Sequence, residues 1–141
     1  MFLRIFKLAM FGFICCFLVS CATTPISNEL STEVKDENVI NSAMKIPKYG
    51  HGIVIVKRDI GLNTSACKSR IFVNGQPVAD IATGEKVTMF LPYGEQLLAA
   101  KATGICAGGL VEIKANVTDK NSTFRVSYGS WGELSMQPTA F

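Results

Sequence analysis

Histidine and tryptophan each occur once in the 141 residues, at His51 and Trp131. One histidine cannot supply a His-x-x-x-His metal site, and no Walker loop or Gly-x-Ser-x-Gly turn is present. Charge is sparse too. Charged residues make up 18% of the chain and the net charge is +3, too weak for a nucleic-acid or polyanion binder. Long apolar runs are missing: the longest, Leu8 to Val19, falls well short of the ~20 residues a membrane-spanning helix needs. Gly104 and the pair Gly108-Gly109 lead into a strand-like segment instead of a helix N-terminus, which makes a poor phosphate cradle. Seven acids are scattered after residue 48 with no recurring spacing that would mark a catalytic pair. No cofactor, nucleic acid or small-molecule substrate is indicated, and the chain is not expected to be an enzyme.

What is abundant is hydrophobicity, at 48%, and much of the excess lies at the N-terminus. Arg4 and Lys7 precede the Leu8–Val19 run, which has the length of a secretory h-region. The run ends Leu18-Val19-Ser20-Cys21. This resembles the lipobox of bacterial lipoproteins. The resemblance implies a diacylglyceryl group on the Cys21 thiol, cleavage after Ser20 and acylation of the new amine. Two or three acyl chains hold a protein on a membrane where one binds marginally. Ala22, not Asp, follows the cysteine, which resembles the pattern sorted to the outer membrane. The implied location is the bacterial cell envelope, with the domain in the periplasm or on the surface. Removing residues 1–20, with their two basic residues and no acid, lowers the net charge from +3 to +1.

The five cysteines then sort themselves. Cys15 and Cys16 leave with the signal and Cys21 carries lipid. Cys67 and Cys106 remain, an even pair in an exported chain, and are expected to form a disulfide. The competing reading is a reactive thiol assisted by His51, which requires a base within hydrogen-bond reach.

Residues 21–48 are polar and weakly periodic, and read as a lipidated N-terminus followed by a flexible tether. A short helix capped by Ser31 or Thr32 is the only regular element that this stretch suggests. From Tyr49 the grammar is β. Gly52–Lys57 is β-branched and apolar; Arg70–Val73 and Gln76–Ala82 flank Asn74-Gly75, a strong hairpin signal because both turn positions need positive φ. Lys86–Leu91, Gln96–Ala102, Leu110–Val117, Thr123–Tyr128 and Glu133–Gln137 follow, each bounded by turn residues. Gln96–Ala102 is ambiguous on propensity and is read as a strand from its spacing. Lys57-Arg58 and Lys68-Ser69-Arg70 read as solvated strand ends. The expected fold is all-β: a single antiparallel β-sandwich, or small barrel, of about seven or eight strands over residues 49–141.

The run Arg70-Ile-Phe-Val-Asn-Gly-Gln-Pro-Val, then Val87-Thr-Met-Phe-Leu-Pro-Tyr-Gly-Glu-Gln-Leu, then an alternating strand, resembles PEGA-type β-domains over about residues 69–128. The Pro-x-Gly-Ala element that opens such domains is replaced here by Thr64-Ser-Ala-Cys-Lys68. The resemblance implies an envelope interaction module and carries over no functional residue. Tyr93 and Trp131, aromatics at turns, are the candidate binding surface for an envelope protein partner. An alternative is a periplasmic inhibitor similar to the membrane-bound lysozyme inhibitors, which would insert Asn63–Cys67 or Cys106–Gly109 into an enzyme cleft.

Overall fold

The computed structural model describes residues 23–62, 64–106 and 108–141. Two sheets face each other. The first has the order β1 (Thr32–Glu33), β5 (Glu85–Pro92), β2 (His51–Arg58), β8 (Ser122–Tyr128), β9 (Leu134–Pro138). The second has the order β4 (Gln76–Ile81), β3 (Ser69–Val73), β6 (Gly94–Ala102), β7 (Leu110–Val117). The chain is therefore an all-β sandwich of two open sheets and not a closed barrel. The alternation legible in the sequence fills the space between them. Val54, Val56, Val87, Met89, Phe124 and Val126 from the first sheet meet Ile71, Val73, Val78, Ile81, Leu98 and Val117 from the second, all buried.

Asn74 and Gly75 sit at φ 49° and 78°, the left-handed values that the hairpin between β3 and β4 demands. Pro77 lies on the edge strand β4, where no neighbour needs its missing N–H, and the register shifts beside it between Ile71 and Phe72. Two pairings depart from a purely antiparallel sandwich. β8 runs parallel to β2, with Val54 opposite Ser122 and Arg58 opposite Val126, and β1 runs parallel to β5. As a result β2 and β8 deliver their following loops to the same end of the molecule.

The segment expected as a flexible tether is instead, from Thr23 onward, laid against the sandwich. Thr24 bridges Ile60; Thr32 and Val34 donate to the Gly84 and Lys86 carbonyls at 3.1 and 2.8 Å; Ile40 donates to the Val78 carbonyl at 2.8 Å. Short 3-10 turns at Asp36–Asn38 and Ser42–Lys45 replace the suggested helix. The reason is burial at isolated points. Ile26 and Val34 are buried, and Val39 and Met44 pack on the core, so single apolar residues anchor a strap that has no periodicity. The strap covers the exposed edges of β5 and β4, which would otherwise present unpaired backbone groups. The folded unit thus includes residues assigned from sequence to the tether.

Candidate functional site

Strand direction sorts the loops into two groups. At one end, here the near end, stand Thr23, the loop after β2, the turn before β5, the loop between β6 and β7, and the loop between β8 and β9. At the far end stand the approach to β2 at Tyr49-Gly50, the Asn74-Gly75 turn, the Tyr93 turn and the link between β7 and β8.

The near end is built around Arg58. It continues the inward face of Val54 and Val56, and so enters the core instead of the solvent expected for it. Its guanidinium donates to the Cys67 carbonyl, to the Thr64 carbonyl at 2.7 Å and to Thr64 Oγ1 at 3.2 Å. It also stacks on the Tyr128 ring, 4.7 Å from the centroid. Burial pulls the Arg58 pKa below its ordinary value, while electrostatic attraction to Tyr128 and Glu85 opposes that. Tyr128 in turn shares a hydrogen bond of 2.7 Å between its hydroxyl and Ser69 Oγ. One buried cation therefore fastens the loop between β2 and β3 from the inside.

The neighbouring charges are also withdrawn from water. Lys57, on the outer face of β2, is covered by the C-terminal tail and donates to the Phe141 backbone oxygen. Asp59 is buried and pairs with Arg125 at 2.5 Å. Burial raises the Asp59 pKa above the ordinary carboxylate value against the pull of Arg125 and Lys57. Burial lowers that of Lys57.

Cys67 and Cys106 stand at disulfide-bonding distance, with Cα atoms 6.0 Å apart. They tie the loop after β2 to the loop after β6. His51 lies at the opposite end of β2, its Nδ1 3.0 Å from the Tyr49 carbonyl. A thiol assisted by His51 is therefore not assembled. His51 lines a hollow of about 320 Å³ with Met44, Lys48, Phe90 and Gln96, and no carboxylate shares that lining.

Tyr93 and Trp131 are both exposed, but they do not form one patch. Tyr93 donates its N–H to the Gly50 carbonyl at the far end. Trp131 follows β8 at the near end, its backbone N–H 3.0 Å from Glu133 Oε2. Sequence reasoning missed two companions of Trp131. Leu62 is 94% exposed, Ile105 95% and Trp131 96%, each at the tip of a near-end loop. The signal available was local: each is a single large apolar residue beside glycine in a stretch with no charge (Gly61-Leu62, Gly104-Ile105, Trp131-Gly132). Cys21 lies outside the described residues. No protein-family model matches this chain, and no curated protein matches it in sequence.

Proposed function

We propose that the protein is a non-catalytic lipoprotein of the bacterial cell envelope, held by acyl chains on Cys21 and presenting its β-sandwich as an interaction or structural module. The observation that carries this reading is Leu18-Val19-Ser20-Cys21 directly after a basic and apolar leader. A cysteine pair at bonding distance fits the oxidising compartment to which such a leader delivers its cargo. The separation of His51 from Cys67 by the length of β2 favours a presenting surface over a reactive thiol. The outer membrane is the proposed address and an envelope protein the proposed counterpart.

Metabolic labelling with palmitate tests the anchor. The wild-type chain is expected to take up label and to fractionate with membranes, and Cys21→Ala to lose the label. An unlabelled wild-type chain would remove the anchor and the location argued from it.

A further inference from the structure

We infer that the near end of the sandwich is a membrane-docking face, whose occupant is the leaflet that holds the protein's own acyl chains. The inference rests on the lipid anchor proposed above and adds an orientation to it.

The first support is where the described chain begins. Thr23 is fixed to the near end: its N–H donates to the Tyr128 carbonyl at 3.1 Å, and its Oγ1 accepts from the Tyr128 N–H at 3.0 Å. Gly61 lies against it, so close that a Cβ added there would stand 3.0 Å from Thr23 Cγ2. Cys21 is two residues earlier, and two residues of extended chain span at most about 7 Å. A lipidated Cys21 therefore leaves no tether, and the near end has to meet the headgroups.

The second support is what that end presents. Leu62, Ile105 and Trp131 project from three separate loops. The loops are held beside one another. The disulfide joins the first two, and a Cβ on Gly132 would come within 4.0 Å of Thr64 Cγ2 on the first. Residues 60–67, 103–109 and 129–132 contain no charged side chain. The charges at their edges are engaged: Asp59 with Arg125, Lys68 with Asn38 at 2.6 Å, and Glu133 with the Trp131 N–H. Entering the headgroup region thus strips water from no free charge in these loops. Leucine and isoleucine gain from that transfer, and tryptophan favours the membrane–water interface.

The far end contrasts. Tyr49 and Tyr93 are exposed there too, but beside the exposed charges of Lys48, Asp119 and Lys120, and β2 alone sets the two ends about 23 Å apart at ~3.3 Å per residue.

Trp131, the single tryptophan, reports on this directly. The full-length protein, processed in cells, would be purified in detergent and its lipid on Cys21 verified by mass. It would then be reconstituted into phosphatidylethanolamine–phosphatidylglycerol vesicles with plain or brominated acyl chains. Docking predicts blue-shifted Trp131 emission that brominated lipid quenches. It also predicts that Leu62→Ser and Ile105→Ser each weaken the docked state about tenfold. A second protein, Trp131→Phe with Tyr49→Trp, moves the reporter to a fully exposed far-end position and should escape quenching. An acylated, vesicle-bound protein whose Trp131 is unquenched, or quenched no more than a tryptophan at position 49, overturns the docking while leaving the anchor intact. Emission that is blue-shifted without vesicles and depends on protein concentration would assign the face to a second copy, and also overturns it. A chain without lipid on Cys21 defeats the anchor itself and the docking with it.

Discussion

The two ends of the sandwich are held by different means. The far end is closed by short turns whose backbone angles are set locally: Asn74 and Gly75 at φ 49° and 78°, and Gly94 at φ 106°. Its tips set the exposed rings of Tyr49 and Tyr93 among charged side chains, Lys48, Asp119 and Lys120. The near end carries long loops that local geometry cannot close. A cysteine pair, a guanidinium inside the core and a tyrosine bonded to a serine hold them instead. The tips held this way are apolar and exposed. Long loops left to themselves would fold such side chains inward or fluctuate, because ordering them costs conformational entropy. Ties that reach across the fold keep Leu62, Ile105 and Trp131 facing outward. The difference shows where the fold invests in fixing a surface and where it only turns the chain.

The largest test of that contrast is to cut the covalent tie. Cys67→Ser with Cys106→Ser releases a link across 39 residues. In the chain-entropy account this should cost about 4 kcal/mol, measured by urea unfolding. Amide exchange should quicken first in the loops after β2 and β6 and leave the Asn74-Gly75 turn protected. Equal loosening of both ends would break the comparison, because the tie would then act only through global stability.

A smaller effect is expected from the far end. Asn74 occupies the left-handed region, donates to Gln96 Oε1 at 2.7 Å and accepts from the Leu97 N–H at 2.9 Å. Asn74→Ala keeps the φ requirement and loses both bonds, which should cost about 1–2 kcal/mol in urea unfolding. The near-end loops should keep their exchange protection in this variant. Loss of protection there would show that the two ends are coupled through β3 and β6.

Most of the strands were legible because their period is local. Leu110–Val117 alternates residue by residue and is β7 with the same bounds, and Asn74-Gly75 placed its hairpin to the residue. The strap was not legible. Its buried apolar residues, Ile26 and Val34, gain their environment from the edge of the sandwich and leave no periodic mark in their own segment. Arg58 is a subtler case. The alternation Val54, Val56, Arg58 pointed it inward, but its charge argued for solvent. What reversed that argument, the carbonyls of Thr64 and Cys67 and the face of Tyr128, lies in residues that only the fold brings near. Tyr93 and Trp131 look alike in the sequence, both aromatics at turns. Which turns share an end depends on β8 running parallel to β2, and no single segment encodes that. The lipidation position, Cys21, was read from a four-residue motif and lies outside the described residues.

The smallest expected effect concerns the buried carboxylate at the near end. Burial raises the Asp59 pKa, and Arg125 and Lys57 oppose the rise, so the net shift is a residue of opposing forces. The sign follows from proton linkage. Between the folded value and the unfolded value near 3.9, the folded chain binds more protons at Asp59 than the unfolded chain does. Asp59 therefore destabilises the fold at neutral pH relative to acid, and its contribution becomes more favourable as pH falls through the folded pKa. Asp59→Asn has no such titration. Urea midpoints of the two proteins, compared from about pH 7 to pH 4, should shift in favour of the wild type toward acid, by less than the single-proton limit of about 1.4 kcal/mol per unit. The remaining carboxylates are common to both proteins and cancel in the difference. The opposite slope would mean that the Arg125 pair outweighs burial. Asp59 would then behave as a paired acid, and the near end would lose one of the features that separate it from the far end.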